Sequence, residues 1–97
     1  MKIVFEPLAR AEFIEAARWY AAEAGRIYAA DFRNEVHRTL TMASEHPAMG
    51  TPANNNTRQL VVHRYPYSIV YRTASETLHV IAVAHHSRRP GYWVGRR

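Results

Sequence analysis

No cysteine occurs in this chain, so neither a disulfide framework nor a thiolate metal site can hold it together. Nothing in it approaches the apolar run of roughly 20 residues that spans a bilayer as a helix. The opening residues, Met1-Lys2-Ile3-Val4-Phe5, lack the apolar stretch and small-residue cleavage site of a secretion signal. The expected compartment is the cytoplasm. Acidic residues are in deficit, eight against thirteen Lys and Arg, which leaves a formal net charge of +5. Such an excess favours polyanions or an acidic protein partner through long-range attraction and says nothing about fold. There is no internal repeat.

A hydrophobic content of 47% with 22% charged residues is that of a chain able to bury a core, which argues against disorder. Residues 1–97 are long enough for one domain and too short for two. Lys2 to Phe5 is a β-branched and aromatic run that reads as a strand. Pro7 is placed to open a helix, and from Leu8 to Glu23 Ala9, Phe13, Ala16, Ala17 and Tyr20 recur at helical spacing. Glu6 with Arg10 and Glu15 with Arg18 sit at pairing distance on the side expected to face water. Gly25 is the expected left-handed cap. A second helix follows from Arg26 to Ser44, with Tyr28, Phe32, Val36 and Leu40 as its apolar stripe and Asp31, Arg33, Glu35 and Arg38 on other faces. Two helices joined at a single glycine make an antiparallel hairpin, which ends at Glu45-His46-Pro47.

The stretch Gly50 to Asn56 reads as a mobile connector. Three strands are expected after it: Arg58 to Arg64, Tyr67 to Arg72 and Leu78 to Ala84. Short links make them an antiparallel meander, and the last is apolar at nearly every position, so it belongs centrally with both faces covered. The expected class is α+β: strand, antiparallel helical hairpin, then a three-stranded antiparallel meander, with the helices packed on one face of the sheet.

Chemistry concentrates beyond that last strand, where His85, His86, Arg88, Arg89, Pro90, Gly91, Tyr92 and Trp93 follow within nine residues. Strict alternation places His86 on the side of Leu78, Val80, Ala82 and Ala84, and His85 on the side of Ile81 and Val83, so at most one of them enters a shared site. His63, His79 and His85 do not have the spacing of a metal site, and no carboxylate lies near them in sequence. His63 and His79 are expected as half-buried sheet residues. Neither a metal nor a cofactor is implied.

Several segments together resemble one family. The strand and alanine-rich hairpin closing on Glu45-His46-Pro47-Ala48-Met49-Gly50, then Pro66-Tyr67-Ser68-Ile69-Val70-Tyr71-Arg72, and finally Ala84-His85-His86-Ser87-Arg88-Arg89-Pro90-Gly91-Tyr92-Trp93 are similar to the RelE/ParE toxin superfamily over essentially the whole chain. The resemblance implies the toxin of a type II toxin-antitoxin pair, neutralised by a cognate small antitoxin. Its target is either DNA gyrase, poisoned without nuclease activity as in the ParE-like branch, or messenger RNA, cleaved on the ribosome as in the RelE-like branch.

The nuclease branch needs a base, an acid and cations around the scissile phosphate. His85 or His86 are candidates for proton exchange, Arg88 or Arg89 for clamping phosphate, and Tyr92 for stacking or proton donation, with Arg64 and Arg72 adding positive field. The match to RelE-like nucleases is incomplete, because Ser68 occupies a position where they carry an arginine, and His85 or His86 one where another arginine is expected. Each candidate also has a structural reading. Arg88 and Arg89 are expected more on a solvated or partner-facing surface than in catalysis, and Tyr92 and Trp93 more as anchors that pin the tail to the sheet or the helices.

Those departures favour the ParE-like branch, which needs a recognition surface instead of proton-transfer groups. Trp19, Arg64, Arg72, Arg89 and Trp93 are candidates for it, with Arg18 and Arg26 on the hairpin and Arg88, Arg96 and Arg97 in the tail; Trp19 counts only if it is exposed rather than packed between the helices. An antitoxin of this family folds on binding, and the net charge makes an acidic segment its expected contact. A third alternative is a non-toxic basic domain that binds RNA through Arg58, Arg64, Arg72 and Tyr71, although the aromatic and glycine pattern of RNA-recognition motifs is missing.

Overall fold

The computed structural model describes residues 1–96. Arg97, counted above with the basic tail, lies outside the described residues. The elements are β1 (Lys2–Phe5), α1 (Pro7–Glu23), α2 (Arg26–Glu45), a single 3-10 turn (Pro47–Met49), β2 (Thr51–Ala53), β3 (Thr57–Val61), β4 (Tyr67–Ala74) and β5 (Thr77–His85). The strands form one sheet in the order β1-β5-β4-β3-β2. β1 runs parallel to β5 and the remaining pairs are antiparallel.

The helical hairpin forms as its periodicity requires. Gly25 breaks the path between the helices with φ +99°, and its N–H donates to the Tyr20 carbonyl at 3.0 Å. Ala9, Ala16 and Ala17 from α1 and Phe32, Val36, Leu40 and Ala43 from α2 are buried against Ile69, Tyr71, Leu78, Val80 and Val83 of the sheet. Alanines on α1 let it approach the sheet closely, and the volume is filled by rings. Phe32 lies 5.0 Å from Tyr20 and 5.2 Å from both Tyr65 and Tyr67, centroid to centroid, each such pair contributing about 0.5–1.5 kcal/mol beyond its burial. Tyr71 fastens β4 to the 3-10 turn: its hydroxyl donates to the Pro47 carbonyl at 2.8 Å and accepts from the Gly50 N–H at 3.1 Å. A Cβ at Gly50 would stand 2.5 Å from that hydroxyl, so only glycine fits.

The expected α+β class and a β5 covered on both faces are present, but β4 and not β5 is the middle strand, and the sheet corrects several further details. The connector at residues 50–56 is not a loose link, because Thr51, Pro52 and Ala53 pair with Gln59, Arg58 and Thr57. The meander therefore has four strands, not three. Pro52 hides this strand in the sequence, since proline is tolerated only where a strand is at the edge, and asparagine accepts the left-handed turn at Asn55 and Asn56, φ +62° and +58°. β3 stops at Val61, short of the expected Arg64, which turns back with φ +70° to meet α2. Tyr28 is 58% exposed and off the core, because spacing by four drifts around the helix.

The facing of β5 also differs from strict alternation. Val70 pairs with Ala82 and Tyr71 with Val80, so Ile81 is an extra residue in a bulge. Leu78, Val80 and Val83 consequently face the helices, while Ile81, Ala82 and Ala84 face the opposite side with Val70 and Trp93. His86 does not share the side of Leu78 and Val80. Nor do the helix-surface pairs form: among the described residues Glu6 contacts His79 at 2.9 Å instead of Arg10, and no ion pair joins Glu15 to Arg18. His79 is half-buried as expected, but His63 is exposed in the turn after β3.

Candidate functional site

β1 covers only the first half of the neighbouring edge of β5, ending where the Glu6 N–H meets the Val80 carbonyl at 3.0 Å. The backbone groups beyond need other partners. Glu12 of α1 accepts the Val83 N–H at 3.0 Å, and Arg96 donates to the Ile81 carbonyl at 3.0 Å. Arg96 also grips Glu12 with both terminal nitrogens, at 2.9 and 3.0 Å, and the Tyr92 hydroxyl donates to the same carboxylate at 2.7 Å. One carboxylate thus clips the tail to both the first helix and the sheet. Trp93, 6% exposed, lies over Ile81, Ala82 and Ala84 and closes the second face.

This arrangement decides what the tail residues can do. The Tyr92 hydroxyl is half withdrawn from water and bonded to a carboxylate, and burial first, then that bond, pushes its pKa well above the ordinary value. A proton donor for catalysis needs the opposite shift. The Arg88 guanidinium lies over the Tyr92 ring, 3.9 Å from its centroid, a cation–π contact. His85 packs edge-on against Tyr67 at 4.9 Å, and its Nδ1 accepts the Ser87 N–H at 3.0 Å. That bond requires Nδ1 to be unprotonated.

His86 belongs to the other side of the sheet, where its Nε2 meets the Ser68 Oγ at 2.9 Å. The two histidines therefore stand in different surroundings. His86, Ser68, Gln59, Arg89 and Trp93 line a concavity of about 250 Å3 on the tail side. On the helix side Trp19, Glu15, Tyr20, Tyr67, His85 and Arg88 line a larger groove of about 470 Å3. Trp19 stands there 56% exposed, edge-on to Tyr20 at 5.1 Å, so Tyr20 fills the core and Trp19 faces outward.

Arg64 is not brought to the tail. It binds Asp31 at 2.8 Å and Glu35 at 3.1 Å on α2, and Asp31 also accepts the Tyr65 hydroxyl at 2.5 Å. The bond from Tyr65, first, and the charge of Arg64 lower the pKa of Asp31. Glu35, expected off the apolar stripe of the second helix, is buried at 3% exposure. Arg72 is held at the far end of β4 by the Asn55 carbonyl, 3.1 Å away. Arg18 borders an apolar groove of Phe13, Ile14, Ala17 and Ala21 between the helices, and Arg26 is exposed at the start of α2. Among the described residues, no three His, Asp or Glu converge as metal ligands, and no helix is long and apolar enough to cross a membrane.

Glu12 was not singled out from sequence, yet its signal is there. It lies on the same helical stripe as Ala9, Phe13 and Ala16, and an acidic residue on a core-facing stripe requires a donor from elsewhere in the chain. Glu35, between Phe32 and Leu40, carries the same signal.

Residues 3–90 match the family profile described as ParE toxin of type II toxin-antitoxin system, parDE. The chain belongs to the ParE toxin family. A solved structure described as the chromosomal ParDE TA system from P. aeruginosa superposes with a TM-score of 0.78, covering 88% of this chain and 95% of that one at 16% identity. At that identity the likeness speaks for the fold alone. A comparison with curated protein sequences finds no match. Within the ParE family assignment, the match stops at Pro90, so the roles of Tyr92, Trp93 and Arg96 rest on the geometry of this chain.

Proposed function

We propose that this ParE-family toxin arrests growth by binding DNA gyrase and holding it on cleaved DNA, without cutting nucleic acid itself, and that a small cognate antitoxin with an acidic segment neutralises it. The supporting observation is the fate of the proton-transfer candidates. His85 and His86 face different sides of the sheet, and the Tyr92 hydroxyl donates to Glu12, with its pKa raised. What remains suits recognition: an outward Trp19 above a groove with Tyr67 and Arg88, and Arg89 exposed in the tail. Tryptophan and arginine dominate contact energies where they become buried in an interface. The net charge of +5 matches an acidic antitoxin segment.

One observation favours the RelE-like alternative of ribosome-dependent mRNA cleavage. Ser68 and His86 form a hydrogen-bonded pair beside Arg89 in a concavity, which places a titratable ring near a cation. Induction of the lone chain in a host should arrest growth, and co-production of its antitoxin should relieve the arrest. In the gyrase reading His86→Ala leaves that arrest intact. A nuclease relying on His86 would lose roughly two or more powers of ten in rate, and growth would resume.

A further inference from the structure

Thirteen basic residues face eight acidic ones in this chain, and the acids are unevenly distributed. The ion pairs that arginines make among the described residues engage Arg38, Arg64 and Arg96. Among the described residues, Arg58 and Arg72 meet no carboxylate within ion-pair distance. Both line one concavity of about 250 Å3, together with Pro47, Pro52, Asn56, Thr57, Tyr71 and Thr73. It sits where the β2–β3 hairpin turns against β4, away from Glu12 and the tail histidines.

Main-chain carbonyls hold the two guanidinium groups in place. Arg58 Nη1 donates to the Gly50 carbonyl at 2.7 Å and to the Ala48 carbonyl at 3.3 Å, and Arg72 Nη2 donates to the Asn55 carbonyl at 3.1 Å. A carbonyl orients an arginine without cancelling its charge, so both groups remain full cations. The Arg72 Nε–H is buried and has no acceptor among the described residues. An arginine presents five donors in a rigid fork that suits phosphate oxygens, and each of these two uses only one nitrogen internally. The walls are polar, unlike the apolar groove of Phe13, Ile14, Ala17 and Ala21 between the helices, so the concavity does not suit an amphipathic peptide.

We infer that this pocket binds a phosphate of a nucleic-acid backbone, with Arg58 and Arg72 as its cationic ligands and Asn56 and Thr73 at its rim. The inference is independent of whether gyrase is the target. In binding to a short DNA oligonucleotide, the slope of log Kd against log salt reports the phosphates neutralised, at roughly 0.7 per contact for a single strand and 0.9 for a duplex. Arg58→Gln with Arg72→Gln should weaken binding at least tenfold and flatten that slope by about 0.7 on a single strand or about 0.9 on a duplex, the loss of one phosphate contact. The variant must keep the wild-type melting temperature for this comparison, since Arg58 also braces the 3-10 turn. Wild-type protein supplies a readout that needs no substitution: titrated with inorganic phosphate and then with the oligonucleotide, it should show amide shifts centred on Asn56, Thr57 and Thr73. Shifts with inorganic phosphate but none with the oligonucleotide would overturn the backbone assignment in favour of a free phosphate compound. Shifts confined to Arg18 or to Arg88 and Arg89, an unchanged slope in the folded double variant, or tighter binding of a glutamate-rich peptide at this pocket would overturn it altogether.

Discussion

Replacing Glu12 with alanine tests how the tail is held. The carboxylate accepts four hydrogen bonds, from the Val83 N–H, the Tyr92 hydroxyl and two nitrogens of Arg96. The Arg96 and Glu12 side chains are only 16% and 17% exposed, so water replaces these partners poorly. Removing one member of a buried ion pair costs about 3–5 kcal/mol, and partial exposure puts this case near the lower limit, about 3 kcal/mol. For a domain of this size each kcal/mol is worth roughly 4–8 °C, so Glu12→Ala should melt roughly 12–24 °C below wild type. Glu12→Gln keeps one acceptor oxygen and should lose less. Hydrogen exchange localises the effect, since the Val83 amide loses its acceptor and should exchange far faster while Ile69 in the core changes little. A Glu12→Ala protein that melts within a few degrees of wild type and keeps Val83 protected would refute the clip.

The tie between β4 and the 3-10 turn is tested by Tyr71→Phe, which strands the Pro47 carbonyl and the Gly50 N–H and should cost about 1–3 kcal/mol in urea unfolding. Trp19→Ala should barely change stability, because Trp19 is largely exposed, but should relieve growth arrest on induction if the groove it overlooks is the recognition surface. Tyr65 has its pKa pushed up to about 12, chiefly by burial and then by its bond to Asp31. The folded state therefore favours the neutral phenol over the unfolded one, which titrates near pH 10. The stabilisation is complete below about pH 10 and lost as pH rises through about 12. Urea titrations should show stability falling more steeply over that range in wild type than in Tyr65→Phe, and equal slopes would count against the linkage.

What could be read locally was legible. Alanine spacing and Gly25 specify the hairpin, and near-continuous apolarity from Leu78 to Ala84, interrupted only by His79, places that strand inside the sheet with both faces covered. What depends on a distant partner was not. The bulge at Ile81 arises from pairing with β4, and one inserted residue reverses every later side chain, so alternation alone put the histidines on the wrong faces relative to Leu78 and Val80. β2 exists because β3 receives it, despite Pro52. Glu12 and Glu35 sit on apolar stripes as if misplaced, and only their partners Arg96 and Arg64, 84 and 29 residues away, explain them.

The central claim is that this chain acts by recognition and not by proton transfer. Purified toxin incubated with DNA gyrase and supercoiled plasmid measures it directly. Cleaved plasmid trapped on the enzyme, in equal yield with wild type and His86→Ala, is the predicted result. No trapped DNA, together with message cut on translating ribosomes and abolished by His86→Ala, would contradict it.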